Sequence, residues 1–186
     1  MPRVMLAVFG LSGSGKGTFA GLVQSYCAER GLSVARLRLA EPLYQLQQEF
    51  RARAGIDLPR HVQDQVLMEV AAAQLRRLNP RSLVDRLLAE LDATTADVVV
   101  NDDLRDPDTD YPAMRERGFR FVRVQCPEPL RRQRLVQRGD VSQSDVSTSG
   151  IDAIRADVVL DNGAELDVFR RRVDQLMEDI LVAHRA

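Results

Sequence analysis

Lysine is nearly missing from this sequence. Of 26 basic residues in 186 positions, Lys16 is the single lysine and the rest are arginines. A mechanism that needs a lysine must use Lys16, which lies in a glycine-rich loop with another evident task. That argues against pyridoxal and Schiff-base chemistry. The Asn-Lys-x-Asp motif for guanine recognition cannot be written anywhere in the chain. Cysteine is equally scarce. Cys27 and Cys126 are too few for a disulfide framework or a metal cluster, and both are expected as buried free thiols. The two histidines, His61 and His184, fall outside every motif and are not expected to be catalytic. Net charge is −1, so no global field draws nucleic acid to the surface. The apolar run Val4–Leu11 is too short to span a bilayer and lacks a cleavage-type flank. No nucleic-acid partner, no membrane partner and a cytoplasmic location are expected.

What is present fits one globular domain with a sizeable core: 45% apolar and 28% charged residues. Val4–Phe9 is continuously apolar and stops at Gly10, the signature of a strand buried on both faces. A glycine loop and a helix over 16–30 follow. Further strands are expected over 33–39, 97–100, 119–124 and 157–160. Helices are expected from Glu41-Pro42, over 60–91 with a break at Asn79-Pro80, and over 111–117, 130–138 and 165–184. Leu67, Val70, Ala71, Leu75 and Leu78 are expected to share a core-facing stripe. The serine-rich stretch 139–150 reads as a mobile loop. Strands alternating with helices predict an α/β fold: a three-layer α/β/α sandwich around a parallel, five-stranded sheet. Ligands in such sheets bind at the carboxyl ends of the strands.

Gly10-Leu11-Ser12-Gly13-Ser14-Gly15-Lys16-Gly17-Thr18 sits between the first strand and its helix. Glycines allow a tight turn whose N–H groups converge, and the helix amino end adds partial positive charge. Lys16 then reaches the terminal phosphates of a nucleoside triphosphate, expected to be ATP. Gly17 removes the hydroxyl that usually meets Mg²⁺; either Thr18 supplies one in its place, or phosphates and waters mainly hold the ion.

This G-x-x-G-x-G-K-G-T loop resembles that of P-loop nucleoside monophosphate kinases. Three shorter segments extend the likeness across most of the chain. Leu39-Ala40-Glu41-Pro42-Leu43 and Asn101-Asp102-Asp103-Leu104-Arg105 are similar to segments of phage-type deoxynucleoside monophosphate kinases. Ala156–Gly163 is similar to the closing strand and asparagine of that group and of dephospho-coenzyme A kinases. The Asp-Gly-Phe-Pro-Arg segment and long lid of adenylate kinases are absent, and Glu41 replaces the usual Asp. The resemblance implies one P-loop kinase domain over 1–186, with an acceptor-binding helical region about 41–94 and a lid about 130–150. It implies that Arg134 and Arg138, which share a helix face, touch ATP, and that Asn162-Gly163 frames the adenine through backbone groups. Arg131 and Arg132 are expected to be solvated. Asp103 is the favoured acid, by the match to Asp-x-Arg. It would bind Mg²⁺ through water or orient the acceptor, while Arg105 clamps the acceptor's phosphate. Glu41, Tyr44 and Gln47, three residues apart, are expected to line the acceptor pocket, with Gln63 and Asp64 as weaker candidates.

Two enzymatic readings follow. In the first, ATP phosphorylates a nucleoside or deoxynucleoside 5'-monophosphate, an acceptor already anionic that needs no general base. In the second, a hydroxyl of a small nucleotide-like metabolite is phosphorylated and Glu41 or Asp103 takes its proton. A non-catalytic ATP-binding regulator would lack the acids and lid arginines that are present here. Monomer and homodimer both stay open.

Overall fold

The computed structural model describes residues 3–59, 62–142 and 150–185. His61 and most of the 139–150 loop lie outside them. Five strands, β1 (Val4–Phe9), β2 (Val34–Arg36), β3 (Val98–Leu104), β4 (Arg120–Gln125) and β5 (Val158–Asp161), form one sheet in the order β2-β3-β1-β4-β5. Every pairing is parallel. The connections carry α1 (Lys16–Ala28), α2 (Glu41–Arg53), α3 (Gln65–Leu78), α4 (Ser82–Ala93), α5 (Asp110–Glu116) and α6 (Glu128–Arg138), and α7 (Leu166–Arg185) closes the chain. The expected parallel α/β architecture is thus observed. No helix among the described residues is long and apolar enough to cross a membrane.

Strand alternation divides the core in two. Leu6 and Val8 of β1, Val100 of β3 and Val122 of β4 pack against α1 and α7 through Phe19, Val23, Phe169 and Met177. Ala7 and Phe9 of β1, Val99 of β3 and Phe121 of β4 point the other way, onto Leu43, Leu87 and Met114 of α2, α4 and α5. A sheet buried on both faces explains why the strands read as unbroken apolar runs.

Three local expectations are corrected. β3 runs on to Leu104, past the expected end at Val100, and it carries an irregularity. Ala7 pairs with Asn101 but Phe9 pairs with Leu104, so two steps along β1 match three along β3. Such a bulge re-aims side chains. β2 is shorter than 33–39. Leu37 N still donates to Val100 O at 3.0 Å, but the amides of Leu39 and Ala40 turn to the Asp103 carboxylate instead. On α3 the buried stripe is rotated: Met68, Ala71, Ala72 and Leu75 meet the core, while Val70 and Leu78 are exposed.

Candidate functional site

The loop joining β1 to α1 is shaped by close contacts. A Cβ at Gly10 would stand 2.2 Å from the Val124 carbonyl oxygen, and one at Gly15 would stand 2.1 Å from Asn162 Nδ2. Both glycines also have positive φ, 147° and 106°. No larger residue fits either position. The loop is then buttressed from beneath. Asn162 Nδ2 donates to Ser14 O at 2.8 Å, and Arg131 Nη1 donates to Ser12 O at 3.0 Å. Arg131 is only 6% exposed and pairs with Glu128 at 2.6 Å, which corrects the expectation that it is solvated. Arg132 is exposed as expected. Asn162 is buried as well, and its side-chain amide holds the loop. Cys126, 3.9 Å from Gly13 O, is half-buried rather than buried; Cys27 is buried as expected.

Above the loop opens a cavity of about 920 Å³. Its cations are Lys16, Arg36, Arg38, Arg105, Arg134 and Arg138; its acids are Glu41, Asp102 and Asp103. Lys16 Nζ donates to Gly10 O at 2.8 Å and Leu11 O at 3.0 Å. Burial, reinforced by the charge of Arg105, lowers its pKa to about 7, against the pull of Asp102. Arg134 Nη2 donates to Asn162 O at 3.3 Å, while its Nη1 is buried without a hydrogen-bond partner, 3.8 Å from where a Gly15 Cβ would stand. A buried charged donor left unpaired is costly and marks a place for an anion.

The two acids of β3 divide their tasks. Asp103 Oδ1 accepts from Leu39 N at 2.9 Å and Asn101 Nδ2 at 2.6 Å, and Oδ2 accepts from Ala40 N at 3.0 Å. Burial and the neighbouring Asp102 charge raise its pKa, with these donors opposing. Asp103 therefore anchors the β2–α2 junction while it borders both cavities. Asp102 stands beside the loop, with Oδ2 3.8 Å from the point where a Gly17 Cβ would lie. It is 8% exposed and accepts from Arg36 Nε at 3.0 Å and from Arg36 Nη2, with Arg38 at 3.6 Å. Gly17 and the exposed Thr18 line the same cavity. One carboxylate, one hydroxyl and open space suit a hydrated Mg²⁺ carried in by phosphates, and no cluster of three or more ligating residues occurs among the described residues.

A second cavity of about 410 Å³ adjoins the first and shares Tyr44, Gln63, Asp103 and Arg105 with it. Its walls include Leu39, Leu43, Met68 and Ala72, and Arg76 lies there paired to Asp110 at 2.6 Å and Asp106 at 3.2 Å. Burial and the Asp103 charge push the Tyr44 hydroxyl up to about 12. Two expected acceptor residues lie elsewhere. Gln47 is 1% exposed; its Oε1 accepts from Asp64 N at 2.6 Å and its Nε2 donates to Val62 O at 3.4 Å. Asp64 caps α3, accepting from Leu67 N at 3.1 Å. A three-residue step on a helix falls about 60° short of a full turn, so two steps carry Gln47 away from Glu41's face. The seven-residue step returns to it, and Gln48 lines the phosphate cavity with Glu41. Arg36 and Arg38 were also missed; their alternation at the end of β2 was the available signal.

Comparison by sequence finds no matching family model and no matching curated protein. Comparison by structure finds several matches over nearly the whole chain. A sugar kinase from Janibacter sp. HTCC2649 matches with a TM-score of 0.56 at 22% identity, covering 95% of each chain. Shikimate kinase from Acinetobacter baumannii, in complex with shikimate, matches with a TM-score of 0.55 at 14% identity, over 97% of this chain and 94% of that one. APS kinase of Mycobacterium tuberculosis, in complex with AMPPNP and APS, matches at 0.51 and 20% identity, over 95% and 99%. The chain has the fold of P-loop kinases. In this fold the glycine loop, the ends of β2 and β3 and the arginines of α6 converge on one end of the sheet.

Proposed function

We propose that the protein transfers the γ-phosphoryl group of ATP to a small metabolite, and that the acceptor is a nucleoside or deoxynucleoside 5'-monophosphate. An acceptor phosphate oxygen forms the new P–O bond, the β–γ bridge breaks, and a diphosphate and ADP leave. Such transfer needs positioning and charge neutralisation rather than covalent chemistry. The observation that carries the reading is the cavity above the glycine loop, where six cations, Lys16 among them, face three carboxylates. Burial and the Arg105 charge bring the Lys16 pKa down to about 7, with Asp102 and Asp103 opposing. Polyphosphate would supply the balancing negative charge, and the unpaired Arg134 Nη1 awaits an acceptor in the same cavity.

Arg105 lines both cavities, the position for a clamp between donor and acceptor phosphates, and the apolar walls of the smaller cavity suit a nucleoside body. Asp102 and Thr18 would hold the Mg²⁺ of Mg-ATP, which supplies charge neutralisation on the phosphates. That a protein of this fold, APS kinase, is in complex with both AMPPNP and APS supports a reading with two ligands, a nucleotide and a second small molecule. A second reading rests on Glu41. Its carboxylate lines the phosphate cavity with a contact from Gln45 at 3.4 Å, and would serve as base for a hydroxyl acceptor.

A screen of nucleoside monophosphates, modified pyrimidines included, and dephospho-coenzyme A, with Mg-ATP and ADP detection, separates the two. Turnover on a monophosphate that Arg105→Ala abolishes and Glu41→Gln spares is the expected result. Turnover only on an alcohol, lost in Glu41→Gln, would transfer the assignment to the second reading. Lys16→Ala should lower kcat by about 100-fold or more in either case.

A further inference from the structure

Asp140 lines neither cavity, yet it holds a wall of each. Its side chain is fully buried just after α6. Oδ2 accepts from Arg138 Nε at 2.6 Å, from Arg138 Nη2 and from Gln65 Nε2 at 3.4 Å; Oδ1 accepts from Gln63 N at 3.1 Å. Arg138 faces the phosphate cavity, Gln65 the acceptor cavity, and Gln63 both. The next two residues continue the seam. Val141 N donates to Gln63 O at 2.9 Å; Ser142 Oγ accepts from Val66 N at 3.0 Å and donates to Asp64 Oδ1 at 2.6 Å.

We infer that Asp140 is a positioning residue that couples the two sides of the cleft, so that nucleotide in the phosphate cavity stiffens the acceptor-side segment 63–66. A guanidinium is a planar fork. Arg138 can keep Nε and Nη2 on Asp140 while Nη1 turns to a phosphate oxygen. Phosphate that immobilises Arg138 then immobilises the carboxylate, and with it the amides that donate to it. A site already ordered costs the second ligand less to order, which is positive coupling without a change of shape.

The coupling rests on the ATP reading above, and its test uses only a non-hydrolysable ATP analogue. Amide hydrogen exchange is followed at Gln63 and Val66 with and without the analogue, and calorimetry measures its binding. In the wild-type protein saturation should slow both amides by about tenfold, the scale of one charge-assisted hydrogen bond. Asp140→Asn keeps an oxygen for Gln63 N and loses the charge that holds Arg138. It should bind the analogue and show no slowing, a response that a merely structural Asp140 would leave intact. Ser142→Ala, which keeps the Arg138 contact, should retain the response at Gln63 and lose it at Val66; this variant decides if Asp140→Asn does not fold. Equal slowing in wild type and Asp140→Asn, or none in nucleotide-saturated wild type, overturns the coupling. Failure of the wild-type protein to bind the analogue overturns the ATP reading itself, and the coupling with it.

Discussion

Lys16 donates to two carbonyls of its own loop, and burial brings its pKa down to about 7 from 10.5. Between those values the unfolded chain binds the extra proton and the folded chain does not. The cost of Lys16 to stability is therefore greatest below about pH 7 and fades as the pH rises. Bound polyphosphate favours the charged amine. Affinity for an ATP analogue should be flat below that pH and fall by up to about tenfold per unit above it. Calorimetry at about pH 8 in buffers of different ionisation enthalpy should show proton uptake on binding; its absence would contradict this account. Lys16→Arg should also lose most activity in the ADP assay, because a flat fork cannot take the place of an ammonium between the Gly10 and Leu11 oxygens.

At the scale of elements, α6 meets the phosphate loop through the buried guanidinium of Arg131, with Leu135 packed against Gly13 beside it. Arg131 reaches Ser12 O while Glu128 balances its charge. Arg131→Ala should lower the melting temperature and weaken analogue binding by about tenfold, read by thermal denaturation and calorimetry. Unchanged affinity would show that the loop keeps its shape unaided. Strands and helices were legible because their apolar periods are local properties of the chain. The glycine loop was legible because strand, turn and helix signals coincide there. Less visible was what the third dimension decides. Arg131 and Arg132 look alike in sequence, yet a turn of about 100° per residue buries one and exposes the other. Asp102 and Asp103 are adjacent and identical in type. Only the β2–α2 junction, whose amides need an acceptor, tells which acid the backbone takes.

For the molecule as a whole, the site draws on the ends of β1, β2 and β3, the start of α1 and the face of α6. A ligand that bridges these parts stabilises all of them. At a hundredfold excess over Kd an ATP analogue should add about 2.7 kcal/mol, or roughly 5–10 °C in Tm for a chain of this size. A thermal scan checks this, and Lys16→Ala should show a much smaller shift. The irregularity between Asn101 and Leu104 has a wider consequence. A regular strand sorts neighbouring side chains to opposite faces. Here Asp102 keeps to the α1 side with Val100, and Asp103 to the other side with Asn101; both reach one cavity because it lies at the strand's end. The irregularity falls after them and returns Leu104 to the half of the core that holds Val99. The strand thus delivers an acid to each side of one cleft before a leucine seals the layer beneath.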